Sequence, residues 1–532
     1  AQGGAPEWVA RFAGPFAELG VRETMAEYLK DTPLLTWQRW SRRYLGGGGL
    51  AELRNMVVPG LFFSASGQPE FCPMLLVADP EDTARFGRTH ISKDPALSTL
   101  PQLHVVNTPD AASWRMQRSH LTDAFLPLTS LAESVPVLES MAEAMVVQWR
   151  RAENLGADGV LDVRAWMHHA ALAMFIRCML GESRAYGPVP PGDGVQDLSG
   201  GAEDLPFAET TPANSAAARA VFNLEDAGRV VSREHAERRF AIMIGFASKL
   251  LSRAAARETA GGTGGPLMDR LRSLGDDAIR MQNLLAMLVA GHDTTAYTMQ
   301  FCLLELARDQ ALQDRVRAET CRILRDVERR GTPLAYGDLP RFELLTRCIM
   351  ETLRLWNVAA VVFSRVTGFD DVVKGANGED VRVPAGTKFT FWYYAQHHSA
   401  LFWGEDPMRF NPDREWSPRE LQQAACRKDG QPRGTAMTPC TERFHPFSVP
   451  SRDCLGKGFA MTEMRILLPR IIRAFRLEVP QRGAAPELAS VSPQAGHPLY
   501  ERWSREIGGP PQPHALLLKI TPLSPASSTS RL

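Results

Sequence analysis

Apolar residues at helical spacing dominate the 532-residue chain. They recur three and four positions apart at about 111–180, 276–329 and 342–355, which predicts helices in these segments. The run from Asn283 to Glu305 contains few helix breakers and predicts one long, largely buried helix. We also expect helices in the first 53 residues.

Short apolar runs predict a minor β portion. The candidate strands are Met74 to Ala78, which ends at Asp79-Pro80, Val381 to Val383, and Lys388 to Trp392. Gly261 to Gly265 follows no strand and precedes no Gly-Lys-Ser/Thr, so we interpret it as a linker between helices and not as a phosphate loop. The pattern predicts a mainly α chain with a minor β portion.

Polar segments divide this pattern without separating domains. Residues 186–214 are rich in proline, glycine and acidic residues, which predicts a long mobile loop. Residues 417–442 are polar and irregular, and residues 522–532 predict a disordered tail. We therefore expect one large domain over residues 1–521, with a helical N-terminal segment at 1–53.

Charge and cysteine usage narrow the function classes. Sixty basic and sixty acidic residues give a formal net charge of zero, which argues against nucleic acid as a partner. The eight cysteines show no paired spacing, which indicates reduced thiols in an intracellular, reducing compartment and no zinc site. The adjacent pairs His168-His169 and His397-His398 point to different faces and make poor metal sites.

Membrane attachment is left open by the sequence. No run reaches the ~18 consecutive apolar residues that a membrane-spanning helix needs. Scattered apolar residues from Trp8 to Tyr28 fit either contact with a membrane surface or packing onto the domain. Because the chain starts at Ala1, we consider a soluble enzyme, a processed organellar enzyme and a chain that has lost an anchor.

The segment from Phe447 to Gly456 holds the most informative residue, Cys454, in a short turn ahead of an apolar helical run. A cysteine at a helix N-terminus meets unpaired backbone N–H groups and the positive end of the helix dipole, and both favour the thiolate. An iron ion bound to the sulfur would complete the deprotonation. Arg452 places a cation within reach of an acidic cofactor edge. The alternative is a buried cysteine in an ordinary turn.

This segment resembles the haem-binding loop of the cytochromes P450, whose pattern is Phe-x-x-Gly-x-Arg-x-Cys-x-Gly. Phe447, Arg452, Cys454 and Gly456 fit that pattern, and Pro450 stands where the family usually has glycine. Because proline cannot adopt a positive φ, the turn must be built differently. The substitution leaves the geometry of the loop open but not the identity of the ligand.

The stretch Ala290-Gly291-His292-Asp293-Thr294-Thr295 is similar to the oxygen-activating segment of that family. The resemblance implies that Asp293 and Thr294 relay protons and that Ala290 and Gly291 contact the cofactor. A charged Asp293 in so apolar a helix requires a partner or water. The alternative for Thr294 is a hydroxyl that bonds back to the preceding turn.

Glu351 and Arg354 lie at i, i+3 and share a helix face flanked by apolar residues. The resemblance implies that they form a buried structural network with Arg414. Trp114 and Arg118 lie at i, i+4 and also share a face. The resemblance implies that both donate to the haem propionates, and Arg365 is a further propionate candidate. A surface helix with a half-buried tryptophan is the alternative for Trp114.

The resemblance spans Trp114 to Gly456 and implies a cytochrome P450 fold with haem b held by Cys454. It implies a monooxygenase that inserts one oxygen atom of O2 into a small lipophilic substrate, with electrons from a separate reductase or ferredoxin-type protein. Lys457 and Arg443 are candidates for the positive charge that receives this partner, and an endoplasmic reticulum surface or an organelle is a candidate location. The alternatives are a haem-thiolate isomerase or peroxygenase that needs no external electrons, and a catalytically silent descendant that binds haem or ligands.

Overall fold

A computed structural model describes most of the chain. The described residues, apart from a few isolated positions, are 7–12, 33–44, 53–63, 69–95, 103–125, 128–151, 158–181, 233–261, 265–358, 364–416, 441–480 and 516–524. The predicted mobile loop at 186–214 lies outside these ranges except for Pro212, and so do residues 417–440 and 525–532.

Helices make up most of the described structure, which confirms the predicted fold class. They are α1 (Pro33–Tyr44), α2 (Pro80–Thr89), α3 (Ala111–Thr122), α4 (Leu128–Arg150), α5 (Val163–Leu180), α6 (Arg233–Thr259), α7 (Pro266–Arg272), α8 (Asp277–Ala290), α9 (Asp293–Arg308), α10 (Gln310–Arg330), α11 (Glu343–Leu355), α12 (Tyr393–His398), α13 (Ala400–Trp403) and α14 (Lys457–Ala474).

Aspartate caps explain where several of these helices begin. Asp79 accepts hydrogen bonds from the amides of Glu81 and Asp82 and precedes Pro80 at the first position of α2. Asp110 and Asp162 cap α3 and α5 in the same way. A carboxylate at this position satisfies unpaired amides and complements the helix dipole, so these helix starts follow from the local sequence.

The β portion forms three small sheets. The strands are β1 (Met56–Phe63), β2 (Pro69–Val77), β3 (Val160–Asp162), β4 (Arg365–Val366), β5 (Asp371–Lys374), β6 (Asp380–Val383), β7 (Lys388–Phe391), β8 (Phe475–Glu478) and β9 (Leu517–Pro522). Their orders are β1-β2-β7-β4, β3-β9-β8 and β5-β6, and all pairs are antiparallel except β2 with β7. Since β9 reaches Pro522, the predicted start of the tail at residue 522 falls inside a strand.

The predicted single helix from Asn283 to Glu305 is interrupted in the structure. Helix α8 ends at Ala290, and α9 begins at Asp293. A Cβ on Gly291 would lie 2.5 Å from the ring of Phe175, so this ring packs where a side chain would otherwise stand. The break makes Asp293 the first residue of a helix, where the positive end of the dipole faces its charge.

The N-terminal residues that the structure describes pack onto the domain. Val9 and Phe12 are 1% exposed and belong to an apolar cluster with Val373 and Val381. The amide of Ala376 donates to the carbonyl oxygen of Arg11 (3.0 Å), which fixes this segment to the β5–β6 hairpin. No helix within the described ranges is long and apolar enough to cross a membrane.

Candidate active site

Cys454 lies in the turn that leads into α14. Its amide donates to the carbonyl oxygen of Phe447 (2.8 Å), which closes the loop, and Gly456 is the N-cap residue of the helix. The Cys454 side chain is accessible to solvent. Burial nevertheless raises the pKa of this thiol. Cys454 is thus accessible while protein atoms surround its thiol.

The predicted electrostatics of Cys454 are only partly correct. Burial, the largest effect, raises the pKa of the thiol, whereas a hydrogen bond from the backbone of Gly456 lowers it. The positive charges of Arg118 and Lys457 also lower this pKa, and the carboxylate of Asp453 raises it. The helix start therefore favours the thiolate as predicted, but burial outweighs it. A cation at the sulfur is needed to deprotonate it.

The structure shows how the loop accommodates Pro450. Ser448 adopts the left-handed conformation (φ 65°), so the positive φ occurs two residues before the proline. Tyr393 supports this turn, because its hydroxyl lies 2.9 Å from the Ser448 hydroxyl and accepts from the amide of Val449 (3.2 Å). Gly87 of α2 supports the other side, where a Cβ would lie 2.7 Å from the Pro450 carbonyl oxygen.

Three cationic side chains lie near this loop: Lys93 and Arg365, which are buried, and Arg452, which is half-buried. Lys93 is 5% exposed and Arg365 is 1% exposed. Burial lowers the pKa of Arg365 to about 10 and that of Arg452 to about 9. Burial, and then the charges of Arg365 and Arg452, hold the pKa of Lys93 well below its usual range. The three cations thus destabilise one another's charged forms.

Both arginines keep N–H groups that protein atoms do not use. Arg365 donates through Nη1 to the carbonyl oxygens of Gly87 (3.2 Å) and His90 (3.3 Å), and Arg452 donates through Nη2 to that of Thr108 (2.8 Å). Within the described residues, Arg365 Nε and the Nε and Nη1 atoms of Arg452 are buried without a hydrogen-bond acceptor. These donors and charges suit an anionic ligand.

Trp114 and Arg118 share a face of α3 as predicted, but they contact different partners. The guanidinium of Arg452 lies 4.8 Å from the centre of the Trp114 ring, so the tryptophan orients that arginine. Arg118 donates to the carbonyl oxygen (2.7 Å) and carboxylate (3.0 Å) of Asp453. Arg118 therefore holds the residue before Cys454, and its predicted contact with a propionate stays a prediction.

The predicted oxygen-activating residues lie at the break between α8 and α9. Ala290 is exposed and Thr294 is partly exposed, although most neighbouring residues of these helices are buried. The Thr294 hydroxyl donates to the carbonyl oxygen of Ala290 (3.0 Å), which is the back-bonded alternative. That bond orients the hydroxyl and leaves its oxygen lone pairs available as acceptors.

Asp293 lies beside a histidine of another helix. It is fully buried, and its Oδ1 atom lies 3.1 Å from Nδ1 of His168 in α5. The neighbouring His292 donates from Nδ1 to the carbonyl oxygen of Leu288 (2.6 Å). No local pattern in the sequence connects His168 with residues more than 120 positions away.

The structure brings Glu351, Arg354 and Arg414 together. Arg354 donates to both Glu351 oxygens (2.8 Å each), and Arg414 donates to Oε1 (2.9 Å). Arg354 also donates to the carbonyl oxygen of His397 (2.6 Å), and Arg414 to those of Trp403 (2.8 Å), Asp406 (2.7 Å) and Arg409 (2.8 Å). The network therefore ties α11 to the segment that follows α12.

Comparison with known proteins gives one consistent result. The family model of Cytochrome P450 matches residues 66–189 and 267–495, well over half of the chain. The chain is 34% identical over 211 residues to Cytochrome P450 4F4 of Rattus norvegicus, which covers 39% of this chain and 35% of the relative. It is 30% identical over 199 residues to Cytochrome P450 714B3 of Zea mays (37% and 32%) and 28% identical over 214 residues to Cytochrome P450 52A3-A of Candida maltosa (39% and 38%). Each match spans only about a third of the relative's length.

The mainly helical fold, the accessible cysteine and the buried cations define a haem-thiolate protein. The chain belongs to the cytochrome P450 family, and its cofactor is haem b. The residues fit this group. Cys454 offers an accessible sulfur, while Arg365 and Arg452 have the unused N–H donors that two propionates need.

Sequence reasoning missed three residues of this region. Lys93 carries no motif and is recognisable only because Arg365 pairs with it across a β-bridge. Gly87 is one glycine among 42, and only its contact with the cysteine loop reveals its role. Glu463 lies nine residues after Cys454 in α14 and is fully buried, and burial holds its pKa well above the usual range.

Proposed function

We propose that this protein is a monooxygenase that inserts one oxygen atom of O2 into a small lipophilic substrate, with electrons from a separate reductase or ferredoxin-type protein. The observation that carries the proposal is the accessible thiol of Cys454 inside the fold. Two more accessible positions, Ala290 and Thr294, belong to the segment that resembles the family's oxygen-activating motif.

Bound haem supplies the redox chemistry that activates dioxygen. Cys454 would hold the iron, and the Gly456 backbone hydrogen bond would stabilise the negative charge on the sulfur. Arg365 and Arg452, together with the buried charge of Lys93, would hold the propionates. Two carboxylates there would offset the repulsion among the three cations.

Asp293 and Thr294 are suited to move protons toward the accessible space. The Thr294 hydroxyl is already ordered by its bond to Ala290, and it can accept a proton on its oxygen while donating its own. Asp293 stands one residue earlier, and its Oδ1 atom lies 3.1 Å from Nδ1 of His168. A carboxyl group next to an accessible hydroxyl can take up a proton, pass it to the hydroxyl and return to the carboxylate form, which suits an acid-catalysed step.

The substrate and the electron donor rest on less direct support. The accessible surface at this end of α8 is apolar, since Ala290 follows the partly exposed Val289, and this favours a lipophilic substrate. The two residues predicted to receive the electron donor are engaged within the protein. Lys457 donates to Asp453 (2.7 Å), and the guanidinium of Arg443 lies 4.4 Å from the centre of the Trp403 ring. The docking charges, the membrane contact and the cellular location stay predictions.

The proposal is tested by the carbon monoxide difference spectrum of the dithionite-reduced protein. We expect a strongly red-shifted Soret band, because a thiolate ligand donates electron density to the iron. Cys454→Ser should move the band to the ordinary haem position, and the matched variant Cys72→Ser should not, because Cys72 lies in β2.

The same preparation separates the alternatives. Product formation that requires O2 and a reductase supports the monooxygenase. Turnover of hydroperoxides without a reductase, and none with it, would show a peroxygenase or isomerase instead. A protein that fails to take up haem would contradict the proposal altogether.

A further inference from the structure

Three potential metal ligands converge beside the proposed proton path. His168 comes from α5, His292 lies in the break between α8 and α9, and Asp293 begins α9. Each offers one ligand atom, and the three atoms lie within 4.8 Å of one another. His292 and Asp293 are buried, and the His168 side chain is 14% exposed. The adjacent pair His168-His169 does face in different directions, but His168 finds its neighbours on another helix.

The hydrogen bonding of His292 prepares it as a ligand. Its Nδ1 atom lies 2.6 Å from the carbonyl oxygen of Leu288. Since a carbonyl oxygen only accepts, Nδ1 must carry the proton, and the neutral ring then has its lone pair on Nε2. Metal-binding histidines are usually oriented in this way, with the second nitrogen donating to a carbonyl or carboxylate.

His168 is held in place without hydrogen bonds to its ring nitrogens. Its ring meets that of Tyr297 edge to face at 4.6 Å and that of His292 at 6.0 Å. Both of its nitrogens are buried and make no hydrogen bond within the described residues. The 3.1 Å contact between Nδ1 and the Asp293 carboxylate is close but not aligned as a hydrogen bond. A cation bound to the ring would satisfy a buried polar group that is otherwise costly.

We propose that His168, His292 and Asp293 form a second metal site, which binds a divalent transition-metal ion such as Zn²⁺. Two imidazole nitrogens and one carboxylate oxygen suit zinc, which takes three protein ligands and one open position in many sites. Magnesium and calcium prefer sites built from oxygen atoms alone. Ligand atoms around zinc lie roughly 3.3 Å apart at the usual bond lengths. Binding therefore draws the three side chains together by side-chain rotation.

This site has a consequence that rests on the proposed function. A metal ion that holds the Asp293 carboxylate prevents it from passing protons to Thr294. The ion is therefore an inhibitor of oxygen transfer and not a second catalytic centre. We expect zinc to lower the yield of product per electron consumed while the haem spectrum stays unchanged.

The test measures zinc retained by the purified haem protein after incubation with zinc chloride and desalting. Zinc and iron are quantified together by mass spectrometry, so that zinc is counted per haem. We expect one zinc ion per haem in the unaltered protein and at least a tenfold loss of affinity in His168→Gln and His292→Ala. His169→Ala is the matched control, because His169 is the neighbour in sequence but packs its ring against Trp166 (6.1 Å).

Each outcome decides the proposal. Equal zinc retention by all variants would place the ion elsewhere, and no retention by the unaltered protein would remove the site. His168→Gln keeps a side chain of similar length, and its haem content and carbon monoxide spectrum show whether it has folded. Zinc that binds at this site without affecting product yield would leave the metal site standing and contradict the role of Asp293 in proton transfer. The zinc measurement therefore tests the metal site, and the product yield tests the role of Asp293 in proton transfer.

Discussion

Two buried clusters of charged and polar residues use their carboxylates in different ways. Glu351 receives hydrogen bonds from Arg354, from Arg414 and from the amide of Asn411 (3.0 Å). Asp293 lies 3.1 Å from His168, whose ring nitrogens make no hydrogen bond within the described residues. Both carboxylates are almost fully buried, at 4% and 0% exposure. They therefore differ in how their partners are arranged and not in depth.

The difference indicates what each cluster is for. A buried charge network with every donor and acceptor occupied is rigid and resists change. In the Glu351 network both carboxylate oxygens and every guanidinium nitrogen of Arg354 and Arg414 make at least one hydrogen bond, and these bonds tie separate segments together. The second cluster connects α5 with the interruption between α8 and α9. Within the described residues, the ring nitrogens of His168 make no hydrogen bond. Such a site can take up a proton or a ligand without first breaking a complete network.

The largest effect is expected from breaking the complete network. Glu351→Ala leaves the charges of Arg354 and Arg414 buried without a counter-ion, which costs about 3–5 kcal/mol of unfolding free energy. Urea unfolding of the haem-loaded protein measures this loss. The matched control is Glu328→Ala, which removes an exposed pair with Arg473 and should change stability by about 1 kcal/mol or less. Equal losses of unfolding free energy in the two variants would show that the buried network stabilises the protein no more than an exposed ion pair does.

An intermediate effect is expected from acid, because histidines flank the same network. Burial lowers the pKa of His445 to about 4, and the amide of His445 donates to His397 Nε2 (2.9 Å). A histidine that is neutral when folded takes up a proton on unfolding once the pH is below about 6.5. Stability therefore falls as the pH drops from about 6.5 to about 4, by up to about 1.4 kcal/mol per pH unit for each such histidine.

Unfolding in urea at several pH values between 4 and 7 measures this slope. His445→Phe removes one titrating group and should make the slope shallower by about one proton. An unchanged slope would mean that His445 is not neutral in the folded protein.

The smallest effect on stability is expected at the second carboxylate. Asp293→Asn removes a buried charge while keeping a polar side chain beside His168, so we expect a change of about 1 kcal/mol or less. Oxygen transfer should fall at least tenfold, because an amide cannot supply the proton. Product and hydrogen peroxide per electron consumed measure this loss. A large loss of stability in Asp293→Asn would show that both clusters are structural and would contradict the difference in role between them.

Local sequence was sufficient for much of the fold. The predicted helical segments matched the start of α3, the end of α5 and both bounds of α11, but they did not separate α3, α4 and α5 from one another. It did not reveal the interruption at Gly291, because an apolar run looks the same whether or not the helix is continuous. At the interruption, the ring of Phe175 packs against Gly291 from another helix, a contact that no local pattern records. The loop around Pro450 is a second example. The sequence showed that its turn must differ from the family pattern, but not that Ser448 would take the positive φ.

The sequence by itself determined the family, and it indicated the charged network and the candidate iron ligand. Short motifs carry this information because the order and spacing of Cys454, Glu351 and Arg354 are fixed along the chain. Only the tertiary structure decided which residues share a space. Lys93 joins Arg365, and His168 joins Asp293, across distances in sequence that no local pattern records. Side chains from separate elements meet only when the core has packed, so the cofactor cradle and the second metal site are properties of that packing.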